Sequence, residues 1–436
     1  MRGYAASPAP RSRLPWLVVL PRACPPRSRG RHLVPRPARA DVTNDKVEVP
    51  VAVGVAVGVG VGVGVAVGVA VERSRHPHRQ RNLRHPCDRF PSGGAGARRY
   101  AAVMPEATLP RILVRASERG PADSNSHPYN PRSEVHGWML SRAAGLRRIA
   151  VNLVWLPPGK ESAIFHVHYR EEEWAFVLQG RAVVELDDAE HELRPGDFVA
   201  FPPGVAHHVR NASADEGLLL LEGGEIIADV EVADFPRLRR RVVRFGNQLA
   251  VYPMEAEIEF IPGMKELPRE LCGLGPPADR PRLLVRAAER GEPRIFHHPQ
   301  NPRSEIRLTW LSRPALKRIS AGLGVVPAGR ESFVKHVHRH DEEWMYVLSG
   351  AGIAVIGDRE EPIGPGDFLG FPAGEPAHGV RASPEGELVY LLGGDAWSPT
   401  TIEIADFPGL GLRKTFVGTR SAMTFPLDAA VEGAGT

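Results

Sequence analysis

The chain has 436 residues, 42% of them hydrophobic and 24% charged, the balance of a soluble globular protein with two or three domains. Its 45 Gly and 42 Pro point either to a loop-rich all-β protein or to a disordered segment beside a folded one, and three Cys exclude a disulfide-stapled scaffold. The net charge of +4 hides two opposite parts: residues 1–103 carry +13 and the rest −9, so an acidic body is not expected to bind nucleic acid.

Residues 1–40 hold no acid, many Arg and Pro, and no sustained hydrophobic period. Residues 51–71 contain only Val, Ala and Gly, and a basic, His-rich stretch follows. The run is long enough to span a bilayer, but it lacks Leu, Ile and Phe, and its dense Gly disfavours a helix by ~1 kcal/mol each. It reads as low-complexity sequence and not as an anchor, so no membrane partner is expected. Segment 1–103 is therefore expected to be disordered or a mis-assigned start, with translation beginning at Met104. Cys272 is then the one cysteine of the body, which fits a reducing cytoplasmic location.

From Met104 the chain is one unit written twice. Leu113-Val114-Arg115 returns as Leu284-Val285-Arg286, His127-Pro128 as His298-Pro299, and Asp234-Phe235-Pro236 as Asp406-Phe407-Pro408, at offsets of 170 to 172. So long an offset marks a duplicated domain: 104–254, a Pro-rich linker at 255–280, a second copy at 281–428 and a tail at 429–436. Short β-rich runs bounded by Gly and Pro turns fill each copy, and no long amphipathic helix appears, so the fold class is all-β.

Four residues in each copy carry the chemistry. His166 and His168 alternate on one strand face, Glu173 opens the next strand and His207 follows the turn at Pro202-Pro203-Gly204. The second copy supplies His336, His338, Glu343 and His378 in the same order. Three imidazoles and a carboxylate suit a divalent first-row metal and leave positions open for water or substrate. A lone His is usually a satisfied polar group, but a quartet repeated at matching spacing is not so explained. Trp174 and Trp344 lie on the strand faces opposite the Glu residues and are expected to anchor sheet packing. Arg132, Glu134, Arg303 and Glu305 are expected in turns or salt bridges.

Each copy resembles a cupin. The family's first motif is met by Gly159, His166, His168, Glu173 and Gly180, and again by Gly329, His336, His338, Glu343 and Gly350. The second is met by Gly196, Pro202, Gly204, His207 and Asn211; the second copy has Gly366, Pro372 and Gly374, then one extra residue before His378, and Ala382 in place of Asn. The chain thus resembles a bicupin, most like uncharacterised bacterial ones, and the resemblance implies two tandem jelly-roll (double-stranded β-helix) barrels with a metal inside each. It does not imply one reaction. Oxalate decarboxylases share the Glu-Trp pair but carry an Arg three residues before the first His; here those positions are Ala163 and Phe333, so a dicarboxylate clamp is not expected. Ala175, Val177, Met345 and Val347 are expected to face inward and give apolar barrel walls. The resulting expectation is a metal-dependent enzyme acting on a small organic substrate. An iron or manganese dioxygenase leads; Zn, Ni, Co and Cu also fit the ligands. The alternatives are a ligand-binding or regulatory module and a metal-dependent isomerase or lyase. A homodimer is a further expectation from the resemblance.

Overall fold

The computed structural model describes residues 111–256 and 282–429, apart from positions 228, 247, 375, 397, 399, 400 and 419. The low-complexity segment, the body of the linker and the tail lie outside the described residues.

Each copy builds three antiparallel sheets. In the first copy a seven-stranded sheet runs, in spatial order, Leu284–Val285, Phe198–Phe201, Glu173–Gln179, Leu218–Glu225, Ile149–Leu156, Val135–Met139 and Asp123–Asn125. Opposite it stand His207–Asn211, Ala182–Leu186 and Ala189–Leu193, while Val167–His168, Val230–Phe235, Arg240–Phe245 and Gln248–Pro253 form the third sheet. The second copy repeats this order, with Leu113–Val114, Phe368–Phe371, Glu343–Ser349, Leu388–Asp395, Ile319–Val326, Asn301–Trp310 and Arg294–His298 in its large sheet. The period of two along a strand divides the large sheet's side chains between two cores. Val154, Leu156, Ala175, Val177, Leu218 and Leu220 face the barrel interior. Val151, Leu153, Trp174, Phe176 and Leu221 face the other barrel, where they meet Ile319, Ala321, Trp344, Tyr346 and Leu391. Met345 and Val347 line the second interior with Tyr390. The all-β expectation and the inward and outward faces of both strands thus hold.

Trp174 and Trp344 stack on each other across the junction, 5.2 Å between ring centroids and 12° between planes. Gly223 and Gly393 make room for them: a Cβ on Gly223 would lie 2.4 Å from the Trp174 ring. Gly180 and Gly350 turn the chain from each ligand strand into the three-stranded sheet at φ of 86° and 82°, where any side chain would meet backbone.

The first strand of each copy crosses to the other barrel. Leu113–Val114 opens the first copy in sequence but pairs with Phe368 and Leu369 of the second barrel; Leu284–Val285 pairs with Phe198 and Val199 of the first. The exchange is reciprocal, and each arm is pinned at its end, the Ala116 N–H donating to Asp367 and the Ala287 N–H to Asp197, both at 2.8 Å. A two-residue strand has too little pattern to name its partner, so periodicity finds the repeat and not the folded unit.

His127 and His298 occupy equivalent positions in the two copies. The His127 Nδ1 accepts the N–H of Tyr129 at 3.2 Å, and the His298 Nδ1 accepts that of Gln300 at 3.3 Å. An accepting nitrogen cannot carry a proton, and burial pushes His127 down to about 4. The fold therefore favours neutral His127. Its contribution is complete above pH 6.5, where the unfolded residue is also neutral, and is lost as pH falls from 6.5 towards 4. We expect the loss to be on the order of 2 kcal/mol after discounting for solvent screening. Urea unfolding at pH 7.5 and pH 4.5 checks this: His127→Asn should flatten the pH dependence, and parallel slopes in wild type and variant would count against it.

Candidate metal centres

The first quartet is assembled by three local devices. His166 and His207 exchange backbone hydrogen bonds at 3.1 and 2.8 Å, which holds their rings 4.4 Å apart. Val167–His168 adds as a short strand to Val230–Phe235, and Glu173 begins the central strand of the large sheet. From these three places the side chains converge on one carboxylate oxygen. Glu173 Oε2 lies 3.1 Å from His207 Nε2, 3.6 Å from His168 Nε2 and 4.0 Å from His166 Nε2. Ligand atoms about 2.1 Å from a common ion stand roughly 3 Å apart as neighbours and 4 Å apart when opposite; His166, Glu173 and His207 gather as one such group, and His168 gathers with Glu171 and Glu231 beside it.

The outer ring nitrogens fix the tautomers. His166 Nδ1 donates to the carbonyl of Ile164 at 2.7 Å, His207 Nδ1 to that of Val205 at 3.1 Å, and His168 Nδ1 to Glu231 at 3.2 Å. All three Nε2 lone pairs then point inward. The Nε2 atoms of His166 and His168 are buried with no hydrogen-bond partner, the state expected of nitrogens shaped for a metal.

The charges agree. Burial holds His166 well below its ordinary value, helped by neighbouring His207 and His168. Burial also works against charge on His168, but Glu173, Glu231 and Glu171 outweigh it and push that imidazole up to about 10. Glu171 rises to about 8, chiefly through burial. The acidic groups crowded around His168 favour positive charge there, which a divalent ion would supply in place of a proton.

The second quartet repeats the geometry. Glu343 lies 3.0 Å from His378 Nε2, 3.6 Å from His336 Nε2 and 3.5 Å from His338 Nε2. His336 Nδ1 donates to the Val334 carbonyl at 2.8 Å and His338 Nδ1 to Glu403 at 3.3 Å. The extra residue before His378 is absorbed locally. Gly204 and Gly374 donate alike to the carbonyls of His168 and His338, each at 2.7 Å, so the insertion enters only after Gly374, and the His336–His378 bridge re-forms. The quartets differ in access, however. The ligand side chains of the first are 1–2% exposed; those of the second are 8–13% exposed for His and 36% for Glu343. In the first copy Val205 is buried in the barrel core, whereas Gly374 and Pro376 of the longer turn face solvent.

Glu231 and Glu403 were not among the candidates. Each lies three residues before its Asp-Phe-Pro segment at an offset of 172, and that repeat was the available signal. Phe235 and Phe407, inside those segments, stack on His166 and His336 at 5.8 and 5.9 Å. Asn211, a motif position, serves the fold: its Nδ2 donates to the carbonyls of Leu156, Pro157 and Glu216. Arg132 pairs with Glu161 at 2.6 Å, Glu134 with Lys160 at 2.9 Å, Glu305 with Arg307 at 3.4 Å, and Arg303 with Glu331, as expected of salt bridges. Ala163 is buried, and Phe333 sets its edge against His336 at 5.6 Å.

Comparison with known proteins agrees with this geometry. The cupin-domain family matches residues 152–221 and 322–393, once in each barrel and across all four candidate ligands of each. An uncharacterised protein of Methanocaldococcus jannaschii is 34% identical over 56 residues, 13% of this chain and 44% of its own length. Protein SchB of Streptomyces halstedii is 30% identical over 93 residues, 21% of this chain and 67% of its own. Among solved structures, oxalate decarboxylase from Bacillus subtilis is 17% identical and aligns over 67% of this chain and 78% of its own, with a TM-score of 0.41. No described helix is long and apolar enough to cross a membrane.

Proposed function

Because the chain belongs to the cupin family and folds as a bicupin, we propose that each barrel holds one divalent first-row metal at which a small organic molecule is bound and transformed. The ligands are His166, His168, Glu173 and His207 in the first barrel, and His336, His338, Glu343 and His378 in the second. The observation that carries the reading is the pair of buried, unpartnered Nε2 atoms on His166 and His168, whose opposite ring nitrogens are already committed. Four protein ligands leave about two positions on an octahedral ion, and iron or manganese there would supply Lewis acidity and one-electron chemistry. On that basis the inferred activity is oxidative, of the dioxygenase type. Glu231 and Glu403 hold the second His of each quartet in its ligating tautomer, and Phe235 and Phe407 keep water from the first. With Ala163 and Phe333 where a clamping Arg would stand, dicarboxylate decarboxylation fits less well.

A second reading has its own support. The first quartet is sealed at 1–2% exposure, as suits a metal that orders a ligand-binding module and turns nothing over. Elemental mass spectrometry of the purified chain, paired with oxygen-electrode assays on catechols, 1,2-diols and hydroxyketones, separates the two. Iron or manganese with oxygen uptake that His166→Ala and His336→Ala each lower, and that the double variant abolishes, is the expected result. Zinc would transfer the weight to isomerase or lyase chemistry, and iron or manganese without uptake on any compound would favour the module. Failure to take up any metal would end the proposal.

A further inference from the structure

The cross-strand row that carries the second histidine of each quartet differs between the barrels at one place. In the first barrel His168 stands opposite Ala233, and Ala233 opposite Val242; in the second, His338 stands opposite Ala405, and Ala405 opposite Lys414. Opposite residues of an antiparallel pair present their side chains on the same face of the sheet, so Val242 and Lys414 both lie on the face of the candidate ligands. Val242 is suited to that face and packs against Ile164, Ala233 and Phe235. Lys414 brings a charge to it.

The Lys414 ammonium lies 6.0 Å from the centre of the Phe407 ring, and Phe407 stacks on His336 at 5.9 Å. Its charge also reaches His298, which burial, Lys414 and His336 together hold below the ordinary histidine range. Among the described residues the half-buried Lys414 side chain has neither an ion-pair partner nor a hydrogen-bond acceptor. Two further differences lie beside it. Phe333, at the position of buried Ala163, is 37% exposed and sets its edge against His298 at 5.1 Å and His336 at 5.6 Å. Glu343 is 36% exposed, where Glu173 is 2% exposed. A solvent-reachable quartet thus has an aromatic surface and an uncompensated ammonium next to it, and the first barrel, with Ala163, Val242 and a sealed Glu173, has none of the three.

We propose that Lys414 and Phe333 recognise the substrate of the second centre, and that this substrate is a small organic acid. Its carboxylate accepts from the Lys414 ammonium, its carbon body lies on Phe333, and a hydroxyl oxygen turns to the metal. One ammonium without a guanidinium fork suits a single carboxylate better than a phosphate dianion, which calls for several donors. The first barrel lacks this selectivity. The substrate class rests on the reading of the second quartet as a metal centre that binds a small molecule.

The full chain loaded with Mn²⁺ provides the test, titrated calorimetrically with 3-hydroxybutyrate and with its methyl ester, which lacks the charge. Wild type should bind the acid about tenfold more tightly than the ester. Lys414→Met keeps the aliphatic stem and removes the charge, so it should bring the acid down to the level of the ester, and Lys414→Arg should recover most of the difference. Phe333→Ala, which installs the first barrel's residue, should weaken acid and ester by the same factor. A carboxylate bound only to the metal would give equal affinities in wild type and Lys414→Met, and that result would overturn the site. Tighter binding of inorganic phosphate than of the acid would overturn the substrate class. Manganese content of the same samples separates the two failures: metal retained with an acid affinity indifferent to Lys414→Met removes the recognition site alone, and a wild-type chain that takes up no manganese removes the underlying reading.

Discussion

Glu172→Ala should cost the folded chain about 3–5 kcal/mol, and Glu342→Ala a similar amount, although neither residue touches a metal. The Glu172 carboxylate is buried in the junction and accepts three backbone N–H groups of the other barrel, from Lys317 at 3.0 Å, Arg318 at 2.8 Å and Ile319 at 3.2 Å. Glu342 mirrors it, accepting from Arg147 and Arg148 at 2.9 Å and from Ile149 at 3.2 Å. Alanine would strand three donors at once. Each buried donor without a partner costs ~1–3 kcal/mol, and solvent reaching the junction offsets part of the sum. Glutamine keeps one accepting oxygen and should lose roughly half as much. Urea unfolding of the single variants measures both effects. A change below about 0.5 kcal/mol for Glu172→Ala would show that the clamp is not holding the barrels together.

The clamp also shows where a sequence stops being legible. In Glu172-Glu173-Trp174 the three side chains do three jobs: Glu172 caps the other barrel, Glu173 points into its own barrel at the histidines, and Trp174 stacks on Trp344. Glu173 could be identified because strand alternation and the His spacing both point to it. The opposite face of Trp174 was legible for the same reason. Nothing local distinguishes Glu172 from an exposed carboxylate, since its partners are backbone groups 145 to 147 residues away. The arm exchange is hidden for a related reason: Leu113–Val114 would pair equally well with either copy of the same strand. Glu231 and Glu403 were visible as repeats, but their task depends on a short strand carrying His168 or His338 beside them. His166, Glu173 and His207 in the first barrel, and His336, His338 and Glu343 in the second, come together because duplication preserved their spacing. The second quartet, with its extra residue before His378, is the more exposed, and its His336–His378 bridge is kept.

That difference in cover sets the last expected result. When the manganese-loaded chain is mixed with excess EDTA, metal should leave in two phases of about one equivalent each. The Glu343 carboxylate is 36% exposed, and a chelator can approach the second centre without rearrangement of the barrel. The first centre has every ligand side chain at 1–2% exposure, so its ion can leave only when the barrel opens. A local opening that costs ~3 kcal/mol would slow the first centre by about a hundredfold relative to the second. His336→Ala should abolish the fast phase and His166→Ala the slow one, as followed by the electron paramagnetic resonance of released Mn²⁺. One phase carrying both equivalents, or loss of the fast phase in His166→Ala, would contradict the assignment of access to the two barrels. Because opening limits only the sealed centre, mild urea should accelerate the slow phase and leave the fast phase nearly unchanged. A simple difference in metal affinity between the two quartets would not produce that selectivity.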